Sequence, residues 1–539
     1  MKRMLFVGAA VAMSMMPAGA ALSFEGTSLV APSCDYGGKI KSIVATDEHT
    51  VTFAMCGADP AFEAKAAFNS FAIQPSEHIA AAGPTKEILT TPIGTGPFKL
   101  EAWNRGDSII LKRNDAYWGT KPAYETLVFR WSTSGAGQLN ELRSGTVDQI
   151  STLSADEFDT VKNDPDLQFL PQMGPNTLYL AMTNTFEPFN NVKVRQAIAM
   201  GIDRQRIVDN YYPAGSEVAS HFTPCTIPNG CAGEDWYKYD PVAAKALLAE
   251  AGYPDGFKTK IYFRDVFRTY LPEPSTIAVE FQSQLKANLG IDAEVSPMES
   301  GEFIGEAQAG RLDGFYLLGW GADYPHITNF LDYHFGKDSV RFGTPQPEIY
   351  EQLIKGSSIG DVEVAKPIYE AANNAIREFV PMVPISHAAA GSAARAYVKN
   401  AGYRPFGAKQ FGLADPGKDT MVVMQNAEPI SLYSADETDG ESLLVSTQIT
   451  ETLLDYAQDS GDVVGGLATS CDPSADSTEW VCHLREGVKF TDGSDFDAND
   501  VVASYAAGLD ASNPAHVGNT GTFDYFSQLW GIMNAPAAK

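Results

Sequence analysis

Between residues 240 and 321 the hydrophobic positions switch repeatedly between a helical and an extended period. Asp240-Pro241 followed by VAAKALLAEAG supplies a helix cap, a proline at the first helical position and Gly252 as terminator. Ser275 can cap a second helix, in which Ile277, Phe281, Leu285 and Leu289 recur every four residues before Gly290 ends it. Ile291, Ala293 and Val295 then alternate as a strand does, ESGEFIGEAQAG reads as a short helix, and DGFYLLGW is an apolar run of strand length. Strand and helix thus succeed one another over 258–320, the pattern of an α/β layer with helices packed on a largely parallel sheet. Ligands of such sheets bind beyond the carboxyl ends of the strands, and GWGADYPH at 319–326 lies just past one. The patterning stops at the turn-rich LADPGKD, residues 413–419, where a new strand-like TMVVMQN begins, so a junction is expected there. No tandem repeat or low-complexity stretch is visible, and the tail NAPAAK is expected to be disordered.

The N-terminus adds a different kind of pattern. Lys2 and Arg3 precede an apolar run from Met4 to Met16, and Ala18-Gly19-Ala20 has the small-x-small spacing of a signal-peptidase site. A secretory signal over residues 1–20 is expected, in preference to a buried N-terminal helix. The run is shorter than the roughly 18 to 20 apolar residues of a membrane helix, and no later window approaches that length. No cysteine stands near the cut, so a free periplasmic protein is expected rather than a lipid-anchored one. The remaining chain is long enough for two to four domains, and its 44% hydrophobic content is that of a globular protein. A formal net charge of −28 makes nucleic acid and anionic membrane surfaces poor partners.

Six cysteines form three sequence-close couples: Cys34 with Cys56, Cys225 with Cys231, and Cys471 with Cys482. An even count in an oxidising compartment favours three local disulfides over zinc, since no spacing is CxxC and no histidine pair stands beside them. Enzyme signatures are missing: there is no GxSxG, no HExxH and no glycine-rich phosphate loop, and only eight histidines are scattered over the chain. His326, Asp332 and His334 are the closest metal candidate and read better as core or rim residues. No metal, cofactor or catalytic residue is therefore expected. Against that background GWGADYPHITNFLDYHF stands out. Trp320, Tyr324, Phe330, Tyr333 and Phe335 crowd aromatic surface around Asp323, which suits a pocket for an amphipathic cation such as a peptide α-ammonium. The competing reading makes Asp323 an Asx turn or helix cap with the aromatics in the core.

Four stretches resemble motifs of the extracellular solute-binding proteins of family 5, which serve peptide and nickel importers of the ATP-binding-cassette (ABC) type. They are HLREGVKFTDGSDFDANDVVASY (483–505), PIGTGPFKLEAWNRGDSIILKRNDAYWGTKP (92–122), NNVKVRQAIAMGIDR (190–204) and GWGADYPHITNFL (319–331). The resemblance implies an α/β, bilobed periplasmic-binding-protein fold of the type II, three-domain peptide-binding class, monomeric, without a cofactor, delivering a ligand to permease subunits. It implies that Asp323, in Trp320-Gly-Ala-Asp323, pairs with a peptide amino group, with Trp320, Gly321 and Tyr324 beside it. Opposite-lobe contacts are expected from 436–448, DETDGESLLVSTQ.

The motifs stand in an unusual order: LREGVKF precedes GTGPFKL in the family and follows it here, so the chain resembles a circular permutant joined near LADPGKD. The first lobe is expected to combine a small domain (34–90 with 467–534) and a main domain (91–183 with 386–466), and the second lobe to be the continuous stretch 184–385. Some dipeptide-specific relatives hold the ligand carboxylate with an arginine from the helix before the DGFYLLGW-like strand. Here that helix offers only Arg311, at its end, so an oligopeptide of variable length is expected. The alternatives are another solute, such as an oligosaccharide, a nickel chelate or an opine-like amine, and a secreted hydrolase.

Overall fold

The structure is a computed structural model describing residues 24–172, 175–402, 404, 406–458 and 460–535. The expected signal segment and residues 536–539 of the tail lie outside the described residues.

Local signals act largely as read. The Asp240 carboxylate accepts from Ala243 N at the head of helix Pro241–Glu250. Ile277, Phe281, Leu285 and Leu289 form the fully buried stripe of helix Pro274–Leu289, which ends at left-handed Gly290. That helix begins two residues earlier than a Ser275 cap implies. Pro274 occupies its first position, so Ser275 lies inside the first turn instead of capping it.

Three sheets carry the molecule. A five-stranded antiparallel sheet runs in the order Ser28–Val30, Ile40–Asp47, Thr50–Met55, Glu479–Leu484 and Ala468–Pro473, bringing the two ends of the chain into one layer. A seven-stranded sheet places Thr420–Gln425, just after the expected junction, in parallel between Thr126–Trp131 and Gln149–Ile150. Within a six-stranded sheet, Lys258–Phe263 pairs in parallel with Asp292–Pro297 and Phe315–Gly321, as the 258–320 pattern predicts. Asn176–Met182 and Met382–His387 extend that sheet in antiparallel fashion. Asn176–Met182, seven buried residues in succession, therefore belongs with the second lobe, and the boundary expected at 183 falls before it. The chain crosses between the six- and seven-stranded sheets after Gln172 and again between His387 and Ala390. Asn176 pins the two crossings together: its Nδ2 donates to Ala388 O at 2.8 Å and its Oδ1 accepts from Ala388 N at 3.0 Å.

The motif glycines are explained by close approach. A Cβ on Gly94 or Gly96 would collide with the backbone of residues 448–450, where Gly96 N and Phe98 N donate to Ile449 O and Gln448 O. In DFDANDVVASY, Asp497 and Asp500 form a capping box at the head of helix Ala498–Leu509. The three cysteine couples form disulfides, with Cys471 and Cys482 directly opposed on neighbouring strands. No helix among the described residues is long and apolar enough to cross a membrane.

Candidate ligand-binding cleft

Strand Phe315–Gly321 ends at the cleft between the lobes. Gly319 is required there, because a Cβ would strike the Tyr270 ring and the Thr177 carbonyl. The chain then turns through 322–326 into helix Ile327–Phe335. Asn329, in the first turn of that helix, organises the loop. Its Oδ1 accepts from Trp320 Nε1 at 2.9 Å and from Asp323 N at 3.1 Å, and its Nδ2 donates to Asp323 Oδ2 at 3.0 Å. From the opposite lobe the Tyr525 hydroxyl also hydrogen-bonds the carboxylate. Desolvation pushes Asp323 up to about 6, against the two hydrogen bonds that favour its charged form. Among the described residues no cation forms an ion pair with it.

Two cavities meet at Asp323, and Tyr525 and Thr438 line both. The first, about 410 Å³, is walled mainly by the first lobe, including Lys409, Glu441 and Leu443. The second, about 400 Å³, is lined by Trp320, Gly321, Arg264, Arg268 and Arg341. The Arg341 guanidinium is buried 4.1 Å over the Tyr333 ring, and its Nε has no hydrogen-bond partner among the described residues. Arg264 donates to Ser300 Oγ and Arg268 to Phe267 O. Burial, together with the neighbouring Arg264 charge, pushes Arg268 down. None of the three guanidiniums forms an ion pair among the described residues. The second cavity thus brings together the Asp323 carboxylate and three guanidiniums, none of them ion-paired among the described residues, with Asp524 of the first lobe also at its wall, an arrangement that complements a small zwitterion.

Trp320 and Gly321 stand beside Asp323 as expected, whereas Tyr324 does not line these cavities. It is buried, bonds Thr328 Oγ1 and packs toward Lys65 of the first lobe. The segment 436–448 does reach the cleft through Thr438, Gly440, Glu441, Leu443 and Leu444. Asp436 itself is structural. Its carboxylate accepts from the backbone N–H groups of Thr520, Gly521 and Phe523, holding Phe523 in a left-handed conformation immediately before helix Asp524–Leu529, which carries Tyr525. Arg311 is exposed and paired with Glu306 at 2.6 Å, outside the cleft. The arginines come instead from RDVFR, immediately after strand Lys258–Phe263, and from Arg341. The rule placing ligands beyond the carboxyl ends of strands could have found Arg264 and Arg268.

The metal candidates do not converge. His326 caps helix Ile327–Phe335 through Nδ1, and His334 is enclosed in an aromatic cluster with Nδ1 on Phe330 O at 2.7 Å. No three His, Cys, Asp or Glu side chains among the described residues are arranged to hold a metal ion. Beyond the loop lies a more apolar cavity of about 630 Å³, lined by Pro60, Ile327, Tyr369, Phe406 and the His326 ring, which desolvation pushes down to about 4.

Known proteins place this arrangement in a family. Residues 14–341 and 462–527 match the bacterial extracellular solute-binding proteins, family 5 Middle. The chain is 31% identical to di/tripeptide-binding protein 1 of Pseudomonas aeruginosa (strain UCBPP-PA14) over 70% of this chain and 72% of that one. It is 28% identical to heme-binding protein A of Haemophilus influenzae over 70% of each chain. The crystal structure of a dipeptide binding protein from Pseudoalteromonas sp. SM9913 in complex with Met-Leu is similar to it with a TM-score of 0.60 and 27% identity, covering 70% of this chain and 76% of that one. The fold, the motifs and these similarities agree: the chain belongs to family 5 of the bacterial extracellular solute-binding proteins, a family of binding proteins rather than enzymes.

Proposed function

We propose that the protein is the substrate-binding component of an ABC importer, working in the periplasm as a monomer. It captures short peptides in the interlobe cleft and hands them unaltered to permease subunits. The observation that carries this reading is the charge arrangement of one cleft: among the described residues, Asp323 forms no ion pair with a cation, and Arg264, Arg268 and Arg341 form none with an anion. A free peptide offers an ammonium and a carboxylate, and each would be desolvated opposite its complement. The names of the relatives in Pseudomonas and Pseudoalteromonas support the same class of ligand. Arginines within the cavity that Asp323 shares favour a dipeptide or tripeptide over a long oligopeptide, reversing the expectation built on Arg311. The motif order supports reading the chain as a circular permutant of the family. So does the packing of its two ends, where Lys39 N donates to Trp530 O at 2.6 Å.

Titration calorimetry with Met-Leu, N-acetyl-Met-Leu and Met-Leu amide tests the reading. The free dipeptide should bind, each cap should weaken binding by about tenfold or more, and mass spectrometry should recover the peptide intact. Failure of every dipeptide and tripeptide to bind, or cleavage of the peptide, would overturn it. A second reading, a larger apolar ligand such as a heme, is favoured by the 630 Å³ cavity and by the name of the Haemophilus relative. Absorbance titration with hemin separates the two.

A further inference from the structure

Lys409 is a buried lysine that the fold leaves largely unpaired. The residue lines the first cavity and is 7% exposed, and its Nζ donates at 3.1 Å to the carbonyl of Ser151, another lining residue. An ammonium has three donors, so one protein contact leaves the group under-satisfied. The chain's treatment of Lys65 is the informative contrast. That lysine is equally buried but meets Asp59 at 2.6 Å. No carboxylate forms an ion pair with Lys409 among the described residues. The two acids that share its cavity have other surroundings: Asp323 is held by Asn329 and Tyr525, and burial together with Asp439 pushes Glu441 toward its neutral form. Gln172 and Asn69 add only neutral polar groups to the lining. With nothing to offset desolvation, Lys409 is pushed down to about 7.

The two cavities give this lysine a defined place along a bound peptide, on the reading of the cleft proposed above. An ammonium at Asp323 and a terminal carboxylate among the arginines direct the main chain into the second cavity. The first side chain branches from the carbon that bears the ammonium, so it is the peptide group placed to enter the first cavity. We infer that Lys409 makes the first cavity a subsite for an acidic first side chain, so that the preferred ligands are short peptides beginning with glutamate or aspartate. The ligand carboxylate supplies the partner that the fold withholds, and a charge-assisted contact replaces a desolvated, half-satisfied ammonium.

The dipeptides Glu-Leu, Gln-Leu and Leu-Glu, titrated into the whole protein, test this. Glu-Leu should bind about 10- to 100-fold more tightly than Gln-Leu, and in Lys409→Met the ratio of their two dissociation constants should fall to about one. The ratio is internal to each protein, so a general loss of affinity in the variant does not disturb it. Calorimetry in two buffers of different ionisation enthalpy at pH 8 provides a second readout. Wild type should take up close to one more proton with Glu-Leu than with Gln-Leu as the anion recharges Lys409, and the variant should show no excess. The shared α-amine cancels in that difference.

Equal binding of Glu-Leu and Gln-Leu by wild type would overturn the inference while leaving peptide capture intact. An equal advantage for Leu-Glu would overturn the assignment to the first residue. Failure of all three peptides to bind would overturn the peptide reading itself.

Discussion

The two lobes contribute to the cleft in different currencies. The second lobe, contained within about residues 176–387, supplies Asp323 and the three guanidiniums of Arg264, Arg268 and Arg341. The first lobe, assembled from both ends of the chain, supplies the Tyr525 hydroxyl, the Thr438 wall and one buried ammonium. A ligand whose charged termini are met on one lobe can dock there first. The other lobe then closes over it and gains mainly hydrogen bonds and exclusion of water. The Asn176–Ala388 contacts fix the two crossings between the lobes against each other. Docking strength should therefore reside in the second lobe, and residence time should depend more on the first.

Asp323→Asn attacks the docking lobe and should have the largest effect. It keeps the shape and removes the charge, leaving a desolvated ligand ammonium poorly paired. Truncating one side of such a pair costs about 2 to 5 kcal/mol, so free-peptide affinity should drop roughly 30-fold to several thousand-fold. N-acetylation should hurt wild type similarly and add little in the variant, since both changes remove one interaction. Calorimetry showing unchanged binding of the free peptide by the variant would leave Asp323 a loop residue.

The contrast between the lobes also governs what the sequence made legible. The second lobe's α/β layer was readable because its helix stripe, its left-handed Gly290 and its strand-length apolar runs are local signals, and Asp323 stood out as an acid among aromatics. Asn329 and the arginines were not singled out, because their relevance depends on where strand ends converge and not on spacing along the chain. The first lobe was legible only as motifs out of order. The relation of Asp436 to Tyr525, 89 positions away in sequence, exists only once the chain ends are folded together. Tyr324 misled for the opposite reason. It follows Asp323 directly, yet it turns to the buried side of the same loop.

The disulfides sharpen the comparison in stability. Two of the three, Cys34–Cys56 and Cys471–Cys482, staple the five-stranded sheet of the first lobe. Each is expected to contribute about 2 to 4 kcal/mol, and somewhat less for the short Cys225–Cys231 loop of the second lobe. Intact mass should show six hydrogens missing, and reduction should lower the melting temperature. The five-stranded sheet should lose hydrogen-exchange protection before the six-stranded one. Reactive thiols in unfolded, unreduced protein would contradict the pairing.

Acidity comes next, acting again on the second lobe. With Asp323 near 6 in the empty cleft, peptide affinity should fall about tenfold per pH unit below 6, because ligand binding requires the ionised form. The variant Asp323→Asn should lack that component. The sign for folding is opposite. A carboxyl raised above its unfolded value favours the folded state at low pH, a contribution fully present below about 4 and lost as pH rises through 6. A wild-type affinity that stays flat from pH 7 to 4.5 would contradict the titration assigned here.

Tyr525→Phe should cost less, because it removes one hydrogen bond from the closing lobe while leaving the docking charges in place. A single such bond is worth about 0.5 to 1.5 kcal/mol, or roughly 2- to 13-fold. Stopped-flow kinetics should place most of the loss in the dissociation rate. A loss confined to association would reverse the proposed order of docking and closure.

The smallest effect is expected from undoing the circular permutation proposed above. If the chain is a circular permutant, its sheets record a connectivity that can be cut and rejoined elsewhere. The cut belongs at LADPGKD, where left-handed Gly417 lies in an exposed turn just before strand Thr420–Gln425. The new connection belongs where Ser28–Val30 and the segment ending near Met533 approach the same layer. A protein beginning at Asp419, running through Asn534, and continuing through a short glycine-serine linker into residue 24 and on to Lys418 keeps every strand pairing. The cost is limited to closing one new loop and freeing another, terms that vary only slowly with length. Its melting temperature should change by a few degrees at most, and its peptide affinity should match wild type within about twofold. If the rejoined protein fails to fold while the original does, the two ends do more than lie close together. The first lobe's unusual connectivity would then be a requirement of its stability, not an incidental reordering of the same architecture.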